Sequence, residues 1–536
     1  MERRFVSVNG RQVHYAHAGR GLPVVLLHAS PADWRSVRDL AAELARSFSV
    51  YALDTPGHGG SDPLPVADPG MNDYGAALGE TLTALGLSRA HLYGTHTGAK
   101  IALALAAERP ELVASLVLDG VGVSTPEERA DQLAHYLPPV MPRSDGGHLV
   151  AVWHQVRNMF LYWPWYNERA AARLTAVPPP TSFLHDLTSG LLEAGERYPL
   201  AYRAAFTCDP VPLLARLTVP ALILASAADP LHAHLDRLPA HRLRVETSAS
   251  GTPALAARVQ AHVTSHAAGP PVAPAAHQAA HGARAYVPTR LGQLLVRRTG
   301  PAAEGRPLVV LPPAPASGRA VEGLLAEVGG RRPAFALDLP GTGGSDLTGG
   351  TGPSVDDLAL AAGDALDALG LDDADLYGTG AGAVAAVAVA RTRPGVVRAL
   401  ALGGLPDPAV LTETEVRVRT PELEPDEHGA HLLRAWHLVR DGGLRAGLPE
   451  LPGGRPDLGE LHGRVLDIAG SWRTYAAAFR AAVAGAAAWP ADPPAPVVAA
   501  DPVWDPFTAG AVRAVPGRDG TGGVASLLKA LDDVSG

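Results

Sequence analysis

The stretch Leu92-Tyr93-Gly94-Thr95-His96-Thr97-Gly98-Ala99 decides the fold of this chain. It reads as a short apolar strand, a turn flanked by Gly94 and Gly98, and an Ala/Leu-rich helix that continues through residues 100–106. The two glycines indicate a turn too sharp to leave room for a nearby Cβ atom. The pattern therefore predicts that His96 stands at the tip of the turn. This tip lies over the carboxyl end of a parallel sheet, at a helix N-terminus that favours negative charge.

Three other segments give this turn its context. An apolar strand at residues 24–27 leads into His28-Ala29-Ser30-Pro31, and another at residues 50–53 leads into Asp54-Thr55-Pro56-Gly57-His58-Gly59-Gly60-Ser61-Asp62. A third strand at residues 112–118 ends at Asp119. Together they resemble the α/β-hydrolase family, with its oxyanion turn, its D-x-P-G-x-G-x-S-D loop and its nucleophile elbow. The resemblance covers most of the first 266 residues. It implies an α/β fold, a mostly parallel twisted sheet flanked by helices and covered by a helical cap.

The first half of the chain returns in the second. Residues 335–346 repeat the loop, Leu376–Ala383 repeat the elbow, and the same offset of 284 residues (338 − 54, and likewise 380 − 96) relates both pairs. We therefore predict a tandem duplication of two α/β-hydrolase-fold domains. The first spans residues 1–265 with a cap at about 122–217. An Ala/Pro/Gly linker at 266–283 joins it to a degenerate copy at 284–536 with a cap at about 404–490.

The resemblance implies a triad of nucleophile, acid and histidine, in that chain order. The acid is present, since Asp229 follows the strand at residues 221–226 and Asp505 stands equivalently in the second half. The other two members are missing. His96 replaces the serine, and Thr252 stands where the family places its histidine. In the second half Gly380 occupies the elbow. The ordinary serine-hydrolase mechanism is therefore not expected in either half.

Two interpretations of His96 remain open. In the first, its imidazole acts as general acid/base or as nucleophile, assisted by Asp229 and His148, with the backbone N–H groups of Ser30 and Thr97 as oxyanion hole. The first domain would then be a non-serine enzyme acting on a small carbonyl or ester metabolite. In the second, the elbow has decayed, and the protein is a non-catalytic pseudo-hydrolase that binds a small ligand or acts as a scaffold.

The cap contains an apolar helical stripe with histidines beside it. Leu149, Val152, Trp153, Val156 and Phe160 share one helical face. His148 flanks this stripe, whereas His154 points further round the helix. We expect His148 in the pocket, and His28, Trp153 and His154 as substrate contacts. A plain core role for the Trp153 stripe is the alternative.

Composition excludes several classes of protein. The 536-residue chain carries a net charge of −9, which gives no reason to expect a nucleic-acid partner. A single cysteine, Cys208, excludes an intrachain disulfide framework and fits a reducing compartment. No apolar run reaches membrane-spanning length, and the N-terminus lacks a signal-peptide core. We expect a cytoplasmic protein without metal, cofactor or membrane partner, whose two halves dock as an intramolecular pseudo-dimer with a structural second half.

Overall fold

The computed structural model describes residues 1–175, 177–238, 243–248, 251–267, 283–299, 305–349, 352–442, 457–487, 493–501, 505, 507–508, 511–513 and 518–535. The chain divides into two compact units. The first comprises Met1–Met141 with His148–His281, and the second Pro142–Gly147 with Gly282–Gly536. Most of the linker expected at 266–283 lies outside the described residues.

The first unit is built on an eight-stranded sheet with the order β1-β2-β4-β3-β5-β6-β7-β8. Strand β2 pairs antiparallel with both β1 and β4, and the remaining neighbours are parallel. The strands are β1 Glu2–Val8, β2 Arg11–Ala18, β3 Pro23–Leu27, β4 Ser49–Leu53, β5 Ala90–Thr95, β6 Val113–Asp119, β7 Ala221–Ser226 and β8 Arg244–Ser248.

Helices cover both faces of this sheet. They are α1 Arg38–Leu44, α2 Met71–Ala84, α3 Thr97–Glu108, α4 Pro126–His135, α5 Gly147–Asn158, α6 Thr181–Ala194, α7 Tyr198–Thr207, α8 Pro210–Ala215 and α9 Thr252–Ser265. Helices α2, α3, α7 and α8 share one apolar cluster with the sheet, and α1 and α9 share another. Helices α4 to α8 lie between β6 and β7 in the chain, where the sequence predicts the cap.

The second unit has a sheet of the same strand order, β9-β10-β12-β11-β13-β14-β16-β18, with a separate two-stranded pair of β15 and β17. Its strands are β9 Arg284–Thr289, β10 Gly292–Thr299, β11 Leu308–Leu311, β12 Ala334–Leu337, β13 Ala374–Gly378, β14 Val397–Leu402, β15 Leu405–Pro406, β16 Val497–Ala499, β17 Val512–Arg513 and β18 Arg518–Asp519. Its helices are α10 Glu322–Gly329, α11 Val355–Ala368, α12 Ala381–Thr392, α13 Glu413–Arg419, α14 Ala430–Arg440, α15 Leu458–Gly470, α16 Ala477–Ala486 and α17 Val524–Ser535.

These two sheets, mostly parallel and flanked by helices, confirm the predicted fold class. The parallel strands at the centre are buried on both sides, which explains why they read as continuous Val/Leu/Ala runs rather than as alternating ones. Across the described residues, every helix is too short or too polar to cross a membrane.

The turn between β5 and α3 is shaped by close backbone contact. A Cβ atom on Gly94 would clash with the carbonyl group of Gly98, and one on Gly98 would clash with the carbonyl oxygen of Leu27. Residue His96 between them has φ 48° and ψ −107°. Gly380 at the second turn has φ 55° and ψ −124°. The same backbone conformation therefore recurs whether the residue is histidine or glycine.

A buried aspartate fixes the loop that follows the fourth strand of each unit. Asp54 accepts hydrogen bonds from the backbone N–H groups of Trp34 and Gly60, both at 2.8 Å, and from His14 Nδ1 at 2.7 Å. Asp338 accepts the equivalent backbone bonds in the second unit, while the guanidinium of Arg297 donates at 2.6 Å. The loop geometry is thus kept with a different side chain bonded to the aspartate.

We predict that Gly98→Ala destabilises the protein by at least about 2 kcal/mol, because the new methyl group overlaps backbone atoms of β3 that cannot move aside. Chemical denaturation measures the effect. The control is Gly395→Ala, where nothing lies within 4 Å of the added Cβ and the change should stay within about 0.5 kcal/mol. Equal stability of the two variants would contradict the packing argument.

Candidate functional site

The site is organised around a contact between His96 and Asp229. His96 projects from the strand-to-helix turn, and Asp229 follows β7 at the carboxyl edge of the sheet. The distance from His96 Nε2 to Asp229 Oδ2 is 2.7 Å. The other carboxylate oxygen of Asp229 accepts the backbone N–H of Leu231 at 2.7 Å, which orients the carboxylate. The imidazole at the elbow thus contacts the acid directly, without an intervening residue.

This contact sets the charge state of both groups. Burial alone disfavours the imidazolium, but the charge and hydrogen bond of Asp229 outweigh burial and raise the pKa of His96. Burial likewise opposes ionisation of Asp229, yet His96 and the backbone N–H of Leu231 lower the pKa of that carboxyl. Because the carboxylate can only accept, Nε2 carries the proton in the neutral imidazole. Nδ1 then holds the lone pair, and it has no protein partner within the described residues.

Two neighbours of His96, Asp119 at the end of β6 and Gly120 after it, give the ring its position. The backbone N–H of His96 donates to the carbonyl oxygen of Asp119 at 2.8 Å, and Tyr93 Oη donates to Asp119 Oδ2 at 2.7 Å. Gly120 follows with φ 69°, and a Cβ there would clash with His96 Cδ2 and lie 2.7 Å from Nε2. Only glycine at position 120 leaves the space through which the imidazole reaches Asp229.

His96 opens into a cavity of about 70 Å³ within the first unit. By the same measure one water molecule needs about 10–15 Å³, so the cavity holds a ligand of only a few heavy atoms. Its floor comes from the sheet edge and its roof from the cap. The lining residues are Ser30, His96, Thr97, Lys100, Gly120, Gly122, Ser124, Gln132, Tyr136, Trp163, Tyr202, Ala205, Phe206 and Leu231.

The expected oxyanion-hole residues both line this cavity. Thr97 is the first residue of α3, where the helix itself supplies no acceptor for the backbone N–H. Ser30 is 7% exposed, and its Oγ is buried without a hydrogen-bond partner. An unpartnered buried hydroxyl is costly unless a ligand or a water completes it. The structure thus brings His96, Asp229, Ser30 and Thr97 together at one point.

Lys100 is a site residue that the sequence analysis missed. It lies on α3, 6% exposed, and its Nζ donates to the carbonyl oxygens of Ala205 at 2.7 Å and Cys208 at 3.0 Å. Burial lowers the pKa of Lys100 to about 8. The signal that could have found it is compositional, since Lys100 is a charged residue inside an otherwise apolar Ala/Leu run.

The roof of the cavity is aromatic. Tyr136 at the end of α4 lies within 5.1–5.8 Å, centroid to centroid, of Trp163, Tyr202 and Phe206. Tyr202 and Phe206 stack at 5.6 Å on α7. Rings from the end of α4, the loop after α5, and α7 form this roof, and Trp153 is not among them.

His148, Trp153 and His154, which the sequence analysis expects at the site, do not line the cavity. Trp153 is 2% exposed and belongs to the buried stripe of α5, as the core alternative expected. His148 is buried on the same helix. His154 points outward and lies 3.6 Å from Glu168. The physical reason is the orientation of α5, whose apolar face packs into the protein rather than over the turn.

His28, which the sequence analysis expects as a substrate contact, does not line the cavity either. It is fully buried, and both ring nitrogens are used. Nδ1 donates to the carbonyl oxygen of Ala29 at 2.9 Å, and Nε2 accepts the backbone N–H of Thr55 at 3.0 Å. His28 therefore ties the turn that carries Ser30 to the loop after β4. It supports the site without touching a ligand.

The equivalent position of the second unit is closed. A Cβ on Gly380 would lie 3.1 Å from Asp505 Oδ2, so the carboxylate stands where an elbow side chain would project. Asp505 accepts the hydroxyl of Thr508 at 2.6 Å and the backbone N–H of Phe507 at 2.9 Å. Burial raises the pKa of Asp505 to about 6. The acid is thus held by its own turn rather than by a histidine.

Comparison with known proteins identifies the fold of the first unit. Residues 23–240 match the family model described as the alpha/beta hydrolase fold. The first unit has the α/β-hydrolase fold. The match and its hydrolase relatives support the α/β-hydrolase superfamily. The second unit shows the same strand order around its own elbow.

Curated relatives match over a short part of the α/β-hydrolase fold. A 2-hydroxy-6-oxononadienedioate/2-hydroxy-6-oxononatrienedioate hydrolase 2 of Pseudomonas putida is 37% identical over 116 residues, 21% of this chain and 41% of that protein. A soluble epoxide hydrolase of Corynebacterium sp. (strain C12) is 32% identical over 111 residues, 21% of this chain and 38% of that protein. The chain thus spans about two fifths of these relatives. Among solved structures, epoxide hydrolase A from Mycobacterium thermoresistibile is 21% identical, with a TM-score of 0.39, covering 50% of this chain and 98% of that one.

We predict an acid-sensitive contribution to stability from His58, which lies buried beside His28 and Thr55. Burial lowers the pKa of His58 to about 4, against about 6.5 for an unfolded histidine. The unfolded chain therefore binds the proton first. This contribution is complete above pH 6.5 and is lost as the pH falls toward 4, about 2 kcal/mol at pH 5.

Thermal unfolding at pH 7.5 and pH 5 checks this. The midpoint of the wild type should fall more steeply with acidification than that of His58→Gln, whatever the baseline stability of the variant. Identical slopes would contradict the assignment. Part of the slope should persist in the variant, because burial also lowers the pKa of His91, His234 and His262 to about 4.

Proposed function

We propose that the first unit is a hydrolytic enzyme of the α/β-hydrolase superfamily, in which the pair His96–Asp229 replaces the serine-based triad. The substrate is a small carbonyl or ester compound that fits the cavity beneath the aromatic roof. The observation that carries this proposal is the 2.7 Å contact of Nε2 with Asp229, which leaves the lone pair of Nδ1 available at the cavity. The hydrolase relatives support the same reaction class.

The proposed chemistry begins with proton removal by His96. Neutral His96 accepts a proton from water at Nδ1 while Nε2–H stays bonded to Asp229, whose negative charge stabilises the imidazolium that forms. The water oxygen forms a bond to the carbonyl carbon of the substrate, and the carbonyl oxygen becomes an oxyanion. This arrangement uses one histidine for the task that the family's separate histidine performs.

The oxyanion is the second element of the proposal. The backbone N–H groups of Thr97 and Ser30 border the cavity, and the N-terminus of α3 favours negative charge there. When the tetrahedral species collapses, the bond to the alkoxide breaks and the departing oxygen takes the proton from Nδ1. Water and ester are thereby converted to acid and alcohol, and His96 returns to its neutral form.

The second unit contributes no chemistry in this proposal. Gly380 has no side chain to act, and Asp505 is engaged by Thr508 and Phe507. The equal strand order of the two sheets supports an origin by duplication. The pairing of the halves as an intramolecular pseudo-dimer stays a prediction.

We expect no stoichiometric labelling of a serine in the first unit by a fluorophosphonate probe. The elbow residue is His96, and Ser30, the buried serine beside it, has no base as hydrogen-bond partner to activate its hydroxyl. Intact-mass analysis after incubation measures the labelling. A modified Ser30 would show a serine mechanism and overturn the role given to His96.

The decisive experiment screens the full chain against short-chain esters and 1,3-dicarbonyl compounds, then compares His96→Asn with the wild type. Asparagine tolerates positive φ and should keep the turn while removing the base. We expect a loss of at least about 100-fold in kcat/KM. Wild-type kcat/KM should rise with pH through an apparent pKa above 6.5, because the neutral imidazole is the active form.

The carboxylates supply a matched pair of variants for the same experiment. Asp229→Asn removes the charge that raises the pKa of His96, so it should lower the rate and shift the rising limb of the pH profile to lower pH. Asp505→Asn makes the same change in the second unit and should leave the profile where it is. Activity that survives His96→Asn, or that is lost equally in Asp505→Asn, would contradict the proposal. Ligand binding without any turnover would instead support a pseudo-hydrolase.

A further inference from the structure

Lys100 places a positive charge in the wall of the cavity without a carboxylate beside it. In the described part of the chain its ammonium has two acceptors, the carbonyl oxygens of Ala205 and Cys208, and it forms no ion pair. The charge of Asp209 acts on Lys100 from further away. Buried charges are normally paired with an opposite charge, because removal from water is costly. The absence of a counter-charge among the described residues is a first indication that the cavity binds an anionic ligand.

The hydrogen bonds of Lys100 leave part of its capacity unused. Both acceptors lie at the C-terminal end of α7, where helix carbonyl groups carry partial negative charge and stabilise a cation. An ammonium has three N–H donors, and two are occupied. Since Lys100 lines the cavity, a third donor and the charge itself are available to a bound anion.

Ser30 is the second, independent observation. It is 93% buried, it lines the same cavity, and its hydroxyl has no hydrogen-bond partner among the residues that the structure describes. With the N–H of Thr97, the cavity therefore offers several donors to a ligand rich in oxygen acceptors. The carboxylate that faces this region, Asp229, is already bonded to His96. An anion that enters the cavity therefore contacts hydrogen-bond donors rather than an unpaired carboxylate.

We infer that the cavity takes a small oxo acid, with its carboxylate on Lys100 and its reactive carbonyl at His96, Thr97 and Ser30. Lys100 follows His96 by four residues, its backbone N–H donates to the carbonyl oxygen of His96 at 3.2 Å, and both residues line the cavity. A carboxylate and a neighbouring carbonyl of one short molecule can therefore contact both. The volume of about 70 Å³ suits a ligand of about six heavy atoms. This inference rests on the proposed function, since it assigns a substrate class to the same cavity.

The test compares two ligands of equal size in the full chain by isothermal titration calorimetry. Pyruvate carries the carboxylate, and pyruvamide is its neutral analogue with the same number of heavy atoms. We expect pyruvate to bind at least about tenfold more tightly, because a hydrogen bond between two charged groups is stronger than one to a neutral amide. Equal affinities, or tighter binding of pyruvamide, would overturn the inference without any variant.

Variants then assign the preference to Lys100. Lys100→Met removes the ammonium and should abolish the preference for pyruvate over pyruvamide. The chain offers a matched control, since its other lysine, Lys529, is exposed on α17 and Lys529→Met should keep the preference. Where Lys100→Met does not fold, Lys100→Gln can still donate to the α7 carbonyl groups and gives the same readout. A preference that survives loss of the charge would show that Lys100 only caps α7.

The role of the Ser30 hydroxyl and the proposed catalytic function are tested by separate measurements. Ser30→Ala should weaken both ligands severalfold, since it removes a donor that does not distinguish charge. Because binding is measured without turnover, the two proposals can fail independently. Binding of pyruvate through Lys100 with no His96-dependent catalysis would remove the proposed function alone. His96-dependent turnover of neutral esters with no carboxylate preference would remove this inference alone.

Discussion

The close backbone approach of helix and strand at the turn of each unit is the constraint on which the rest depends. Helix α3 lies so near β5 and β3 that Gly94 and Gly98 have no room for a Cβ atom. Reversal of the chain in so little space forces the intervening residue to positive φ. The second unit has the same crowding at Gly378 and Gly382. Because His96 and Gly380 share one backbone conformation, the packing of helix on sheet sets the turn, and the residue at its tip is free to vary.

The chemistry of the site depends on the residue at the tip of this turn, His96. A positive φ outside glycine costs about 1–3 kcal/mol, so His96 is held there by the surrounding structure. From this position its ring passes over Gly120 and meets Asp229, the acid that the fold presents after β7. Residue 252, where the family's histidine is expected, is simply the first residue of α9. One imidazole therefore lies between the acid and the cavity, in the space that a serine and a histidine would otherwise share.

The second unit shows which parts of this arrangement belong to folding. It keeps the crowded turn and the buried aspartate of the loop, although Arg297 rather than a histidine pairs with Asp338. It also keeps an acid after the corresponding strand, but Thr508 satisfies Asp505 locally. Turn, loop and acid are thus compatible with a stable sheet in the absence of an elbow side chain. In the first unit the same frame surrounds a cavity in which His96, Ser30 and Lys100 meet.

The sequence by itself determined the strand, turn and helix around His96, the loop at Asp54, the acid at Asp229 and the repeat of these features. Each rests on local rules, since glycines permit sharp turns and short apolar runs become buried strands. Tertiary structure alone decided which cap residues face the site. Trp153 and His148 follow the helical pattern that predicts a pocket, yet the fold buries them away from the cavity. Lys100 and the aromatic roof became site residues because α3, α4 and α7 meet in space, and no local pattern encodes that meeting.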